Sequence, residues 1–182
     1  MVDVALDWRR VEWMPDETWV RDTLPKIEAA GLRDGELRRS VYIIRLNGDF
    51  CVEYPRGESP TLYIGEGRFG QRIGAHRSWV TGLRELVGDF SFQVCIAIPR
   101  VRNNLDAYLD AEAALLERFG ERFGSAPLWN KQFERRRNDY NYNRRQIDQA
   151  IGKRSGAKYR WSIKPMRSSP FYRNYLRTHI ET

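Results

Sequence analysis

Between Thr61 and His76 the chain reads TLYIGEGRFGQRIGAH, and along this stretch the spacing of apolar residues changes character. Thr61 to Gly65 is a short apolar run carrying Tyr63 and Ile64, residue types that fit a pleated, buried strand. From Phe69 onward, Arg72, Ile73, His76, Trp79 and Val80 recur at three- and four-residue steps, the period of a helix. Gly65, Gly67 and Gly70 stand at the change, where tight turning asks for residues without side chains. A strand that becomes a helix across one tight turn commits the chain to a mixed α/β architecture. Packing alone has little use for a tyrosine, an arginine and a histidine around that turn.

The flanking segments extend the pattern. SVYIIRL, residues 40–46, predicts a strand followed by a turn at Asn47-Gly48-Asp49, and FCVEYPRGESP a second short strand with a loop. From Phe90 to Ile98 the chain alternates strictly: Phe90, Phe92, Val94, Ile96 and Ile98 face one way, and Ser91, Gln93, Cys95 and Ala97 the other, until Pro99 ends the strand. After Asn103-Asn104, LDAYLDAEAALLERFG predicts a helix whose apolar stripe runs through Leu105, Tyr108, Leu109, Leu115, Leu116 and Phe119. Gly120 and Gly124 mark its exit, and SAPLWN closes the unit with Asn130.

The order ββ, helix, β, helix predicts a small α/β (α+β) domain over residues 40–131, with a three-stranded, mainly antiparallel sheet flanked by helices. Residues 1–39 read as a helical lead-in with a supporting role, in which Asp16 caps a helix carrying Trp19, Val20 and Leu24 until Pro25 interrupts it. Residues 132–182 read as a C-terminal extension.

At 182 residues the chain suits one domain with decorations. No apolar run reaches the roughly 18 residues that a spanning helix needs, and Met1 to Arg10 lacks the apolar centre of a secretion signal, so a reducing cytoplasm is the expected setting. Two cysteines, Cys51 and Cys95, and two histidines, His76 and His179, are too few for a structural zinc site; an oxygen-ligated hard cation is the metal the composition leaves room for.

Net charge is +7, unevenly spread. Residues 131–182 hold fourteen Lys/Arg against four Asp/Glu, a local +10, which leaves 17 against 20, or −3, for residues 1–130. The same tail interleaves its bases with aromatics, among them Tyr140, Tyr142, Tyr159, Trp161, Phe171 and Tyr172. Such a segment serves either as a solvated extension or as a nucleic-acid surface.

Glu112 stands in the middle of the apolar stripe of its helix. Burying an unpaired carboxylate costs several kcal/mol, more than one core leucine contributes, so either a cation or a core arginine has to reward it.

Ser40-Val41-Tyr42, Tyr63-Ile64-Gly65, Arg72 with His76, Glu112 and Asn130 follow one another in an order that resembles the GIY-YIG nucleases. The resemblance covers residues 40 to about 131, with two departures. Ser40 and Val41 stand where the family name has glycine and isoleucine, and Gly74 lies within the Arg72–His76 turn at a cost of ~1 kcal/mol in helix propensity. The resemblance implies hydrolysis of a phosphodiester with one bound divalent cation, Mg²⁺ or Mn²⁺, on Glu112. It gives Arg72 the phosphate charge, His76 a proton to relay, Tyr42 assisted by His76 the role of general base, and Tyr63 the orientation of phosphate or water. Asn130 would pin the glutamate helix or a tyrosine loop, and Glu66 and Glu117 stay outside the set.

The AEAALLERF and PLWN stretches are also similar to GIY-YIG type II restriction enzymes. That implies a site-specific, restriction-like endonuclease on double-stranded DNA, with a homodimer among the expected assemblies. Phosphate or guanine contacts are expected from Arg135, Arg136, Arg137, Arg144 and Arg145. The alternatives are a homing- or repair-type nuclease, an RNA-directed nuclease, and a nucleic-acid-binding module without catalysis.

Overall fold

The computed structural model describes residues 2–47, 50–87, 91–152 and 161–163, with the backbone path alone at 50, 85–87 and 161–163. Gly48-Asp49, Phe90, His179 and the tail aromatics Tyr159, Phe171 and Tyr172 lie outside the described residues.

In chain order the elements are β1 (Val2–Val4), β2 (Arg9–Trp13), α1 (Leu24–Ala29), β3 (Val41–Leu46), β4 (Phe50–Tyr54), β5 (Gly57–Ser59) and β6 (Thr61–Glu66). Then follow α2 (Phe69–Val87), β7 (Phe92–Ala97), α3 (Ala107–Phe123), β8 (Tyr140–Tyr142), α4 (Arg144–Ile151) and β9 (Trp161–Ile163). The class is α+β, and the main sheet runs β2-β7-β3-β6 with every neighbouring pair antiparallel. β3 and β7 are its interior strands, buried along their whole length, because helices and loops cover both faces.

Three of these strands are the expected ones, and β2 adds a fourth. It pairs with β7 from Arg9 opposite Ile96 to Trp13 opposite Phe92. The reason is a short alternation in which Val11 and Trp13 go inward while Arg10 and Glu12 go outward. Of the segment read as helical, only Trp19–Ala29 and Asp34–Arg39 are helical. Pro25 sits in the first turn of α1, directly after the Trp19–Thr23 helical turn, so the helical stretch continues through it instead of being interrupted there. The position before that helical stretch belongs to Thr18, not Asp16; the Asp22 carboxylate accepts from both the N–H and the hydroxyl of Thr18 at 2.8 Å. Leu105, expected on the apolar stripe of α3, precedes the helix and is exposed.

α4 is docked onto the sheet by its C-terminal end. The buried Arg45 of β3 donates from its guanidinium to the carbonyls of Ala150 and Gly152, at 2.7 and 2.9 Å. Ser59 and Thr61 donate their hydroxyls to the Ile151 carbonyl. These are carbonyls that a helix end leaves unpaired, and a cation there is favoured. Arg118 of α3 clamps Asp148 of α4 with two parallel bonds of 3.0 Å. β1 pairs in parallel with β8, which joins the N-terminal segment to the C-terminal extension, and β9 pairs in parallel with β4.

Candidate active site

β3 and β6 pair antiparallel with Tyr42 opposite Gly65. Tyr63, two residues before Gly65, points to the same face, and its ring lies 6.0 Å from that of Tyr42. The space over Gly65 is what lets both rings in: a Cβ there would stand 2.5 Å from Tyr63 Cε1 and 2.9 Å from Tyr42 Cζ and Oη.

α2 supplies the next two groups from one face. His76 Nε2 and Tyr42 Oη share a hydrogen bond of 2.9 Å, with both residues buried. Phe69, in the first turn of α2, stacks on His76 at 5.8 Å and meets Tyr42 edge-on at 5.2 Å, while Trp13 of β2 backs Phe69 at 5.4 Å. On the other side Trp79 lies edge-on to His76 at 5.9 Å and stacks on Trp129 at 5.0 Å. Burial among these rings disfavours charge on the imidazole, and the Arg72 guanidinium adds to this; together they push the His76 pKa down to about 4. Burial also pushes the Tyr42 phenol well above its ordinary range, with the negative charge of Tyr63 reinforcing it and Arg72 opposing it. Tyr63 moves the same way through burial, against Arg72.

Glu112, on α3, is half-buried. Burial, then the carboxylates of Glu66 and Glu134, push its pKa up to about 7, against the pull of Arg72. α3 packs against β3 and β6, the strands of the two phenols, and the charge of Glu112 is felt by Tyr42, Tyr63 and Arg72 alike. Arg72, on the solvent side, has Nη1 at 3.4 Å from the Glu66 carbonyl and 4.0 Å from its carboxylate. Partial burial works against the Arg72 charge, and Tyr42, Tyr63, Glu66 and Glu112 more than offset it.

Asn130 binds the tyrosine strand, not the glutamate helix. Its side-chain carbonyl accepts from Ile64 N–H at 2.9 Å, and its amide donates to the Ile64 carbonyl at 2.7 Å. β6 is the edge of the sheet, so Asn130 takes the place of a missing neighbour strand next to Tyr63. Ser40, in the position of the first departure, is fully buried, with its hydroxyl 2.9 Å from the Gly67 carbonyl and 3.0 Å from that of Leu37. The hydroxyl ties the start of β3 to the glycine turn, a tie glycine could not make.

Tyr42, Tyr63 and His76 thus meet ring to ring, Arg72 acts on all three, and Glu112 acts on Tyr42, Tyr63 and Arg72. Arg135, Arg136 and Arg137 are exposed on a segment that runs back along α3: Phe133 covers Gly120, Arg136 pairs with Glu117, and the backbone N–H groups of Arg137 and Asn138 donate to the buried Asp110 carboxylate at 2.5 and 3.1 Å. Arg144 and Arg145 are exposed in the first turn of α4.

Sequence reasoning left out two carboxylates that share this environment, Glu66 and Glu134. Glu66, next to Gly65 at the end of the tyrosine strand, is visible in the sequence as a neighbour of the glycine turn but is set aside there. Glu134 carries no such signal, because only the return of the chain over α3 brings it near Glu112. Among the described residues no group of three or more His, Cys, Asp or Glu side chains gathers as a metal cage, and no helix is long and apolar enough to cross a membrane. No protein-family model matches the chain, and neither a search of curated proteins nor one of solved structures finds a match.

Proposed function

We propose that this chain is a divalent-cation-dependent DNA endonuclease of the GIY-YIG type, acting in the manner of a restriction enzyme, as a monomer or a homodimer. The observation that carries the reading is the convergence of two phenols, a neutral imidazole, a guanidinium and a raised-pKa carboxylate from β3, β6, α2 and α3.

The donor set suits a hard cation. Burial, reinforced by the charges of Glu66 and Glu134, keeps the Glu112 proton bound toward pH 7. Glu112, assisted by Glu66, would hold Mg²⁺ or Mn²⁺, which keeps several water or phosphate oxygens when protein ligands are few. Bound there, the ion would neutralise charge on the phosphate and on the leaving oxygen.

The remaining work belongs to the chain. Arg72 presents a planar fork of donors to two phosphate oxygens and stabilises the charge that builds as water attacks phosphorus. Tyr42 takes the proton of that water while its own phenol proton moves along the 2.9 Å bond to His76 Nε2. A neutral His76 is required for this, since an imidazolium has no lone pair to receive a proton. Tyr63 orients the phosphate, and Asn130 keeps the Tyr63 strand in register.

The test is digestion of a mapped plasmid with Mg²⁺, alongside an RNA of matched length, by the wild type and by Glu112→Gln. Cleavage of the duplex at discrete sites, lost in the variant, supports the reading. A smear of ends removes site specificity, cleavage of RNA alone moves the substrate to RNA, and binding without cleavage makes the chain a binding module.

A further inference from the structure

The register of the main sheet puts a second feature at the same end as the phenols. Val41 lies opposite Glu66 on one side and opposite Ala97 on the other, so the chain just before β3 and just after β7 meets the end of β6 there. The segment before β3 is the short 3₁₀ helix Asp34–Arg39, carrying Arg38 and Arg39 in its last turn. The segment after β7 runs through Arg100 into a tight turn, Val101 bridged to Asn104, with Asn103 at φ 62° and Arg102 exposed. Between them opens a groove of about 450 Å³ lined by Arg38, Arg39, Arg100, Asn104 and Leu105.

Tyr108, in the first turn of α3 and one helical turn before Glu112, lies within electrostatic reach of both Arg39 of this groove and Glu66 of the candidate active site. Residues 1–130 as a whole carry a net −3, yet three arginines, Arg38, Arg39 and Arg100, line this groove. Arg100 is matched by Glu36 at 2.6 Å. Among the described residues, neither Arg38 nor Arg39 has a carboxylate within 4.0 Å. Like charges gathered without counter-charge raise the local potential and favour a polyanion.

We propose that the groove between the Asp34–Arg39 helix and the Val101–Asn104 turn binds the duplex DNA backbone next to the scissile bond, with Arg38 and Arg39 as its principal phosphate contacts. The proposal rests on the nuclease reading and moves the main electrostatic anchor from the C-terminal tail to the end of the sheet. Arg136, by contrast, already spends its guanidinium on Glu117.

The experiment uses the full chain in the Glu112→Gln background, so that binding is read without cleavage, on a fluorescent duplex over a KCl series. Arg38→Ala/Arg39→Ala is compared with Arg38→Lys/Arg39→Lys and with Arg56→Ala. Arg56 is exposed and packs on Gly124 at the C-terminal end of α3, roughly 25 Å along that helix from the groove. The double alanine variant is expected to bind on the order of tenfold or more weakly at 0.1 M salt, with the slope of log K against log salt reduced by about 2. The lysine pair keeps most of the slope, and Arg56→Ala keeps all of it. A double alanine variant with wild-type affinity and slope, in a protein that cleaves duplex DNA, overturns the groove and leaves the nuclease reading standing. A wild-type chain that neither binds nor cuts duplex DNA overturns both.

Discussion

Tyr42 and His76 sit 34 positions apart in the chain and share a 2.9 Å hydrogen bond inside the protein, with the imidazole held neutral by burial and by Arg72. Tyr42→Phe removes the phenol oxygen and leaves a buried ring nitrogen without its partner. Cleavage is expected to fall by about 10²–10⁴-fold, the usual weight of a proton-transfer group. Stability should fall by about 1–3 kcal/mol, the cost of an unsatisfied buried polar atom. Initial rates on plasmid and urea unfolding measure the two separately; full activity in this variant excludes Tyr42 as the base.

The carboxyl of Glu112 ought to make stability depend on pH in a chosen direction. Its folded pKa of about 7 lies above the ordinary carboxylate value, so between about 4.5 and 7 the folded protein binds the extra proton and loses stability as pH rises. His76 opposes this, because its depressed pKa makes the folded state gain stability as pH rises from about 4 to 6.5. The difference between Glu112→Gln and wild type isolates the glutamate: in chelator, the variant's relative stability should climb with pH across that window. Adding Mg²⁺ or Mn²⁺ above pH 7 should raise the wild-type Tm and leave that of the variant where it was. A pH-independent difference would show that burial and the neighbouring carboxylates do not disfavour the Glu112 charge.

Gly65→Ala and Gly74→Ala should move in opposite directions. At Gly65 the added methyl would meet both tyrosine rings at 2.5–2.9 Å, so the rings must shift; a loss of about 1–3 kcal/mol and of most activity is expected. Gly74 is exposed on α2 with nothing within 4 Å of the new carbon. There alanine should stabilise by about 0.4–1 kcal/mol without touching activity. Thermal melts of the two variants side by side decide it.

Asn130→Ala should loosen one strand edge and little else. Both bonds lost are to Ile64, so exchange of the Ile64 amide is expected to speed up while the amides of β7 keep their protection. Cleavage should fall through Tyr63, which adjoins Ile64. Unchanged exchange at Ile64 would separate Asn130 from the positioning of that strand.

Local pattern was enough for the elements and for most of the candidate site. The alternation before Pro99, the β-branched run at 40–46 and the glycine turn at 65–70 each carry their own period, so strands β3, β6 and β7 and helices α2 and α3 can be read directly from neighbouring residues. Arg72 and His76 share a helix face because four residues make about one turn. What the tertiary structure alone decided are the relations between residues distant in sequence. Arg9–Trp13 becomes a strand because β7 offers it an open edge, Arg45 can be buried because α4 ends on it, and Gly65 has to be glycine because two rings from different strands cross it. Glu66 and Glu134 become neighbours of Glu112, and Arg38 and Arg39 face Arg100, for the same reason. Periodicity reports which way a side chain points; what it meets depends on how the sheet, its helices and the returning chain close around one another.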